Sequence, residues 1–455
     1  MHALEHGTLP IQLGELDGTA LAADAYRLPE TDVQGPKDIL PVSVIQSDHG
    51  ETIVVSRYAD SIWDFYPYIP QENLKRSEKQ LNWNIRLENG SLLTAPEYAP
   101  LLESAKDFIW SLFSTPIAGR RLSHATLIAK GELLIPLIRW MVVQGMDQFH
   151  QLDGHTMKYA ADARYKSGSK VEISKSTLHY RLHILEYLYL QREKLKDALT
   201  KAPWPLESAQ SISGQRRGGD HRKPTTEVIP DQIAKALIKA SFDYIYQRAP
   251  TIISALHKAQ SITDTLLGLP RQAVVDARTN AARESGFSGS MHLRSESILL
   301  RTSCYIVIDI FSGLRDSEVL SLEADCLTHE SSSDTQTQVN WLHGTIYKMG
   351  RRPKRWLVPQ PVVDAVAVLT QLSAPLRHRL RNEHDSYDRS VTIDGPSPAL
   401  SKRRHFVRSQ QNKLFLAIST KFENEISVIS GAQIPVGRAK SPTPGRVKIP
   451  HLLTE

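Results

Sequence analysis

The sequence predicts a mainly α-helical protein that carries one small antiparallel β-sheet. Two observations carry this. Apolar residues recur at three- and four-residue spacing through two long stretches, one before and one after residue 230, which places them on single helical faces. Between Trp341 and Tyr347 the period changes to two: Trp341, His343, Thr345 and Tyr347 share one face, and Leu342, Gly344 and Ile346 the other. Lys348-Met349-Gly350-Arg351 then reads as a turn, and Arg355 to Val358 as the returning strand. With 455 residues, 41% hydrophobic and 23% charged, the chain has ordinary globular composition and room for two or three domains.

Residues 1–95 read as a loosely built α+β region. Ile53-Val54-Val55 and Trp83-Asn84-Ile85 are expected as strands, Asp60 to Tyr66 as a short helix, and Asn89-Gly90 as a turn. Trp63, Phe65, Tyr66 and Tyr68 are better explained by packing a small core than by stacking on a ligand. Residues 96–204 form a helical bundle. Leu101, Leu102, Ala105, Phe108, Ile109 and Leu112 mark one helix, and Leu133, Leu134, Leu137, Ile138 and Met141 a second. A third runs from about Ser176, its expected N-cap, to Leu195. Residues 205–229 read as a basic linker containing Arg216, Arg217, His221, Arg222 and Lys223. Such a segment either crosses a nucleic-acid backbone or is a solvated tether, and its composition fits both. Residues 230–432 open with a helix capped by Asp231, include a polar stretch between Leu269 and His292 expected as a loop or irregular helix, and contain the alternating segment. Pro361 opens a further helix. Residues 433–455 are a Pro-rich basic tail.

The chemistry concentrates between Leu299 and Leu369. An apolar run, Cys304 to Phe311, is broken at Ser312-Gly313, and a new helix starts with Arg315 and Glu318 in its first turn. An arginine there can present its planar fork to a phosphate; alternatively, it pairs on the surface with Asp316 or Glu318. Glu318, one turn on, suits a supporting role that holds the guanidinium. Lys348 sits in the turn of the alternating segment, followed by Arg351, Arg352, Lys354 and Arg355. These are candidates for phosphate contact, or make an ordinary basic turn.

Gly313-Leu314-Arg315-x-x-Glu318, followed by a hairpin bearing Lys348, resembles the tyrosine recombinase (phage integrase) family. The resemblance covers roughly residues 225–376. It implies a helical core-binding-like domain at 96–204, followed by a partial catalytic domain. It gives Arg315 a phosphate-clamping role and Lys348 that of general acid to the leaving oxygen. It also implies duplex DNA as partner, with self or other recombinase subunits as further partners, and a role in DNA integration and recombination for a mobile element. The family further requires a buried His-x-x-Arg helix and a tyrosine nucleophile. His405 and Arg408 supply one weak His-x-x-Arg match, followed by the polar Ser409-Gln410-Gln411-Asn412. His378-Arg379-Leu380-Arg381 supplies another, expected at the end of the helix that Pro361 begins. Tyr387 is the tyrosine that follows Lys348, in a polar string expected as a surface loop. The expectation is therefore a truncated or decayed integrase that binds DNA but lacks strand cleavage alone. The alternatives are a non-catalytic accessory protein of a recombinase assembly and a helical interaction protein without a DNA role.

The net charge of +6 permits nucleic-acid binding without requiring it. Two cysteines, Cys304 and Cys326, form no disulfide framework and read as reduced thiols. The N-terminus shows no signal-peptide pattern, and no apolar run approaches the roughly 20 residues that span a bilayer. A cytoplasmic protein with neither metal nor cofactor and no membrane partner is expected.

Overall fold

A computed structural model of the chain describes residues 37–46, 50–115, 117, 122–166, 168–215, 228–266, 270–331, 338–347, 351–394, 398–418 and 426–428. The described residues are mainly helical, with small antiparallel sheets.

The chain first forms two strand pairs. Strand β1 (Pro41–Gln46) pairs antiparallel with β2 (Thr52–Arg57), and β3 (Ile62–Asp64) with β4 (Gln80–Asn82). Asp60 to Tyr66, expected as a helix, instead contains the strand Ile62–Asp64. Two-residue periodicity sends Trp63 and Phe65 into one core, while Asp64 is held by polar partners. Its carbonyl accepts from the Ser43 hydroxyl at 2.6 Å, and its carboxylate from Gln80 Nε2 at 2.8 Å. The second expected strand also shifts. It ends at Asn82, whose side-chain oxygen accepts the Asn84 N–H at 2.9 Å and turns the chain out of the ladder before Ile85. The Asn89-Gly90 turn is present, with Gly90 in the left-handed region at φ 87°.

Four helices and one short turn of helix follow: α1 (Ala99–Ser114), α2 (His124–Val143), α3 (Thr156–Asp162), α4 (Lys175–Leu190) and α5 (Ala209–Ile212). Trp63, Phe65 and Trp83 share a single hydrophobic core with Phe108 and Ile109 of α1, Leu134 and Leu137 of α2, and Leu182 and Leu185 of α4. The aromatic residues of the first strands therefore pack, as expected, but against the helices. The N-cap of α4 is Ser174, two residues before the expected Ser176. Ser174 is extended, and its hydroxyl accepts the Thr177 N–H at 3.1 Å, whereas Ser176 already lies in the first turn. Helix α5 falls in the stretch expected as linker. Ser208 caps it, Ala209 is buried, and Glu186 Oε1 accepts the Ala209 N–H at 2.7 Å.

After residue 228 come α6 (Asp231–Asp243), a π-helical turn at Tyr244–Arg248, α7 (Ala249–Thr265), α8 (Arg271–Glu284), α9 (Ser290–Ser312) and α10 (Asp316–Leu320). Helix α8 occupies the polar stretch expected to be irregular. It buries little apart from Ala281 and Ala282, and so leaves no apolar stripe to read in the sequence. A three-stranded antiparallel sheet, order β5-β6-β7, is built from β5 (Leu327–Ser331), β6 (Gln338–Ile346) and β7 (Arg352–Val358). The expected hairpin is there, with Trp341 opposite Leu357 and Ile346 opposite Arg352. The third strand, β5, was not expected, and β7 starts three residues earlier than Arg355.

Helix α11 (Gln360–Asp394) runs well past His378 to Arg381, where the Pro361 helix was expected to end. Pro375 lies inside it. A proline removes the N–H that the carbonyl four residues earlier would accept. That carbonyl, of Gln371, is met instead by His257 Nε2 at 3.2 Å. Arg377 Nη2 also donates to the Thr370 carbonyl at 2.8 Å. The helix thus carries its proline with a tertiary partner at the freed carbonyl. His378 to Arg381 consequently lie within α11 and not at its end, and Tyr387 is on a helix and not on a loop. Helix α12 (Pro398–Gln410) and the strand pair β8 (Leu416–Ile418) and β9 (Ile426–Val428) close the described chain. A second core joins Leu300, Cys304, Val307 and Ile308 of α9 to Val319 and Leu320 of α10, Leu342 and Val358 of the sheet, Val362 and Leu369 of α11, and Phe415.

The two halves meet through α12. Lys402 Nζ donates to the Val55 carbonyl at 3.1 Å, and Gln410 Nε2 to Glu72 Oε1 at 2.9 Å. Both cysteines are free and buried, and burial pushes both thiols up, that of Cys326 to about 12. Among the described residues no helix is long and apolar enough to cross a membrane.

His124 supplies a pH test of the first core. Its ring lies 4.5 Å from that of Tyr68 and 5.7 Å from those of Phe65 and Phe113, centroid to centroid. Burial pushes it down from 6.5 to about 4. The unfolded chain then takes a proton near pH 6.5 that the folded chain refuses until about pH 4. The contribution of neutral His124 is complete above the upper value and is lost as the pH falls through this window. Urea denaturation should show His124→Phe losing on the order of 2 kcal/mol less stability than wild type between pH 7 and 4.5. Parallel profiles for the two proteins would refute the assignment.

Candidate nucleic-acid interface

The turn between α9 and α10 sets the position of Arg315. Gly313 adopts the left-handed conformation at φ 63°, and its N–H donates to the Asp309 carbonyl at 3.0 Å, closing α9. Leu314 is buried and anchors the turn. Arg315 is then extended, as the N-cap residue of α10. Its backbone N–H donates to Glu318 Oε2 at 2.8 Å, and its Nη1 to Glu318 Oε1 at 2.8 Å. Glu318 is only 2% exposed, while the Arg315 side chain is 57% exposed. The carboxylate therefore holds the arginine at both ends and leaves the outer edge of its guanidinium to solvent. This is the supporting geometry expected of Glu318, and it also takes up the surface-pairing alternative for Arg315.

The surroundings of Arg315 are acidic. Tyr305 donates its hydroxyl to Asp316 Oδ1 at 2.8 Å. Burial, reinforced by the Asp316 charge, pushes the Asp309 carboxyl up. An incoming phosphate would compete with the Glu318 carboxylate and meet these charges. Arg315 is thus a pre-oriented cation whose charge is partly compensated.

The hairpin is different. Arg351, Arg352, Lys354 and Arg355 are all exposed. Residues directly opposite in an antiparallel pair share a face. Arg352 and Lys354, opposite Ile346 and Gly344, therefore lie on one side with Trp356; Arg355, opposite His343, lies on the other with Trp341 and Leu357. Lys354 Nζ is 5.1 Å from the Trp356 ring, and the Arg355 guanidinium 4.3 Å from the Trp341 ring. Arg355 also pairs with Glu330 at 2.7 Å, to which Trp341 Nε1 donates at 2.7 Å. Arg352 and Lys354 form no ion pair among the described residues. Gly344 has a steric role here: a Cβ would lie 3.2 Å from the Trp356 ring and 3.5 Å from Leu322, so the small residue lets the sheet sit close on the core.

Lys348, Arg216 and Arg217 lie outside the described residues, as does the 433–455 tail. The three weaker candidates lie on other elements. His405 and Arg408 are on α12, the helix that docks on the strand region, and the His405 ring lies 6.1 Å from that of Tyr66. Tyr387 is half-buried on α11, its hydroxyl donating to Glu383 Oε1, which Arg403 Nε also contacts at 2.8 Å. Burial and the Glu383 carboxylate push its phenol up, which disfavours the phenolate a nucleophile needs. Among the described residues no group of three or more His, Cys, Asp or Glu side chains is placed to hold a metal ion.

Sequence reading missed the Glu383–Tyr387–Arg403 cluster, in which Arg403 comes from a second helix, α12. It also missed Arg301, a charged residue on the buried side of α9, although its position within an apolar helical run was a usable signal. No family model matches the chain, and neither does any curated protein or solved structure.

The Arg315–Glu318 pair should be asymmetric in stability. Glu318→Ala removes the more buried partner and strands both a backbone N–H and a guanidinium, at a cost of about 3 kcal/mol. Arg315→Ala retains the backbone N–H bond to Glu318 and should cost about 1–2 kcal/mol. Chemical denaturation of the two variants checks the order; equal and negligible losses would show that the pair holds nothing.

Proposed function

We propose that this chain is a DNA-binding protein of tyrosine-recombinase type, acting in DNA integration and recombination of a mobile element, and that it does not cleave DNA alone. The observation that carries this reading is the hairpin. It exposes Arg351, Arg352, Lys354 and Arg355 within five residues, on both sides of the hairpin, two of them seated on tryptophan rings. Cations so arranged suit a phosphate backbone, where each contact releases counterions. Arg315, held in position by Glu318, adds a phosphate-directed guanidinium in the order that the resemblance implies. Lys348, which follows β6 in the sequence, is assigned the general-acid role by the same resemblance.

A second reading is an accessory subunit that occupies recombination sites without chemistry. It is favoured by the engagement of Tyr387 with Glu383, and of His405 with the N-terminal half. In-line attack on phosphorus tolerates little displacement of the nucleophile, with about 1 Å costing on the order of a hundredfold. A phenol already donating to a carboxylate on its own helix is poorly placed for it. Both readings share duplex DNA as ligand, with the protein itself or other recombinase subunits as further partners.

Fluorescence anisotropy on a duplex should show affinity that falls as salt rises. Replacing Arg351, Arg352, Lys354 and Arg355 together by alanine should lower the logarithmic salt slope by about 3 to 4. Arg315→Ala should weaken binding by about threefold or less, because Glu318 already compensates part of its charge. Absence of salt-dependent binding would leave only a helical interaction protein without a DNA role. On a nicked suicide duplex no covalent adduct should form. An adduct that survives denaturation and disappears in Tyr387→Phe would overturn the non-cleaving assignment.

A further inference from the structure

His179, His183 and Glu186 lie along one face of α4, four and three residues apart. The two imidazoles stack, with ring centroids 5.4 Å apart and planes inclined by 21°. His183 Nδ1 shares a short hydrogen bond with Glu186 Oε2. The other carboxylate oxygen, Oε1, accepts the Ala209 N–H at 2.7 Å and so ties α5 to α4. The Ala209 backbone also lies against His179. From α2, Lys130 faces the same group. Its Nζ is 3.9 Å from the centroid of the Tyr187 ring, on which His183 packs edge to face at 4.8 Å.

One atom of this cluster is out of balance. His179 Nδ1 is buried and has no hydrogen-bond partner. A neutral imidazole tolerates this, because one of its nitrogens carries no proton; an imidazolium donates from both. Protonating His179 in place therefore creates a buried N–H without an acceptor, beside a second imidazole and the Lys130 ammonium. Burial, with the His183 and Lys130 charges, accordingly pushes His179 down from 6.5, although the Ala209 backbone and Glu186 oppose the shift. Glu186 is already engaged. Burial pushes it up, but its bonds to His183 and the Ala209 N–H outweigh this and hold it below the usual carboxylate range.

We propose that these residues form a proton-operated clasp: His179 takes its proton only when α5 lifts from α4, so mildly acidic pH releases α5. The sign follows from linkage. The open form takes up the proton near the ordinary imidazole value of 6.5, and the closed form resists it. The hold on α5 is complete above that value. It weakens by up to about tenfold for each pH unit below, until the closed form is protonated too. Helix α5 is the last described element before residue 228, so its release lengthens the chain available between the first core and the second. The clasp is independent of the hairpin and of the DNA reading.

The test is hydrogen exchange of the full chain at pH 7.5 and 5.5, with rates corrected for intrinsic amide chemistry. Protection of α5 should fall about tenfold at the lower pH relative to the amides of α1, which share the first core and also report the pH response of His124. His179→Phe and His179→Gln, one apolar and one polar, have no proton to gain, and in each the fall should shrink to about twofold or less. Should one of them fail to fold, as the α1 amides would reveal, the other decides. Glu186→Ala should leave α5 poorly protected at both pH values, because the Ala209 N–H loses its acceptor. A wild type whose α5 keeps its protection at pH 5.5, a tenfold fall that persists without His179, or full protection at pH 7.5 in Glu186→Ala would overturn the proposal.

Discussion

The buried carboxylate of Glu318 ties together the point where the chain changes direction. Helix α9 ends at Gly313, whose positive φ lets the chain leave the helix, and within five residues α10 has begun and ended its first turn. What keeps that turn from unravelling is a single side chain that accepts from both the backbone and the guanidinium of Arg315. Hydrogen bonds to an ionised acceptor are about twice as strong as neutral ones, and here they lie out of water. The residues that follow, Val319, Leu320 and Leu322, can then join the core beneath the sheet. The same contact also sets the electrostatics of the candidate interface, because it neutralises part of the cation it positions.

The hairpin follows from this placement. Leu342 and Val358 are buried against α9 and α10, and Gly344 admits Trp356 and Leu322 at close range. The inner half of the sheet is thereby anchored in apolar contact. The outer half carries Arg352, Lys354 and Arg355, for which there is no core to fill. Trp341 and Trp356 serve both ends: their rings cover apolar surface and present π-faces to the neighbouring cations. A cation resting on an aromatic ring has less freedom to lose on meeting a phosphate than one at the end of a solvated chain. That is the physical ground for giving the hairpin, rather than the net charge of the chain, the main weight in the DNA-binding proposal.

Helix α12 shows how a motif match and a structural role come apart. His405 and Arg408 have a familiar spacing, yet the helix lies on β2, with Lys402 bonded to the Val55 carbonyl and His405 beside Tyr66. Tyr387 tells a similar story on α11, where Glu383 and Arg403 occupy its hydroxyl. In both cases the partner that defines the side chain's environment comes from elsewhere in the chain or from a neighbouring helical turn.

The sequence by itself determined the mainly helical character, the β6–β7 hairpin and its register face, and the pairing of Arg315 with Glu318. Each is encoded locally: apolar residues at three and four positions, strict alternation around a basic turn, and a carboxylate one turn beyond an arginine. Only the tertiary structure decided where α11 ends, because Pro375 stops a helix unless something meets the carbonyl it frees, and His257 comes from another helix. It decided that Ile62–Asp64 is strand and not helix, because Trp63 and Phe65 are drawn into a core built largely by later helices. It made α8 a helix although its sequence has almost no apolar stripe, and it enclosed Arg301 without a partner. Burial is a property of what lies opposite a residue in space, so a local pattern can name the residues that will be inside but not the partners they will find there.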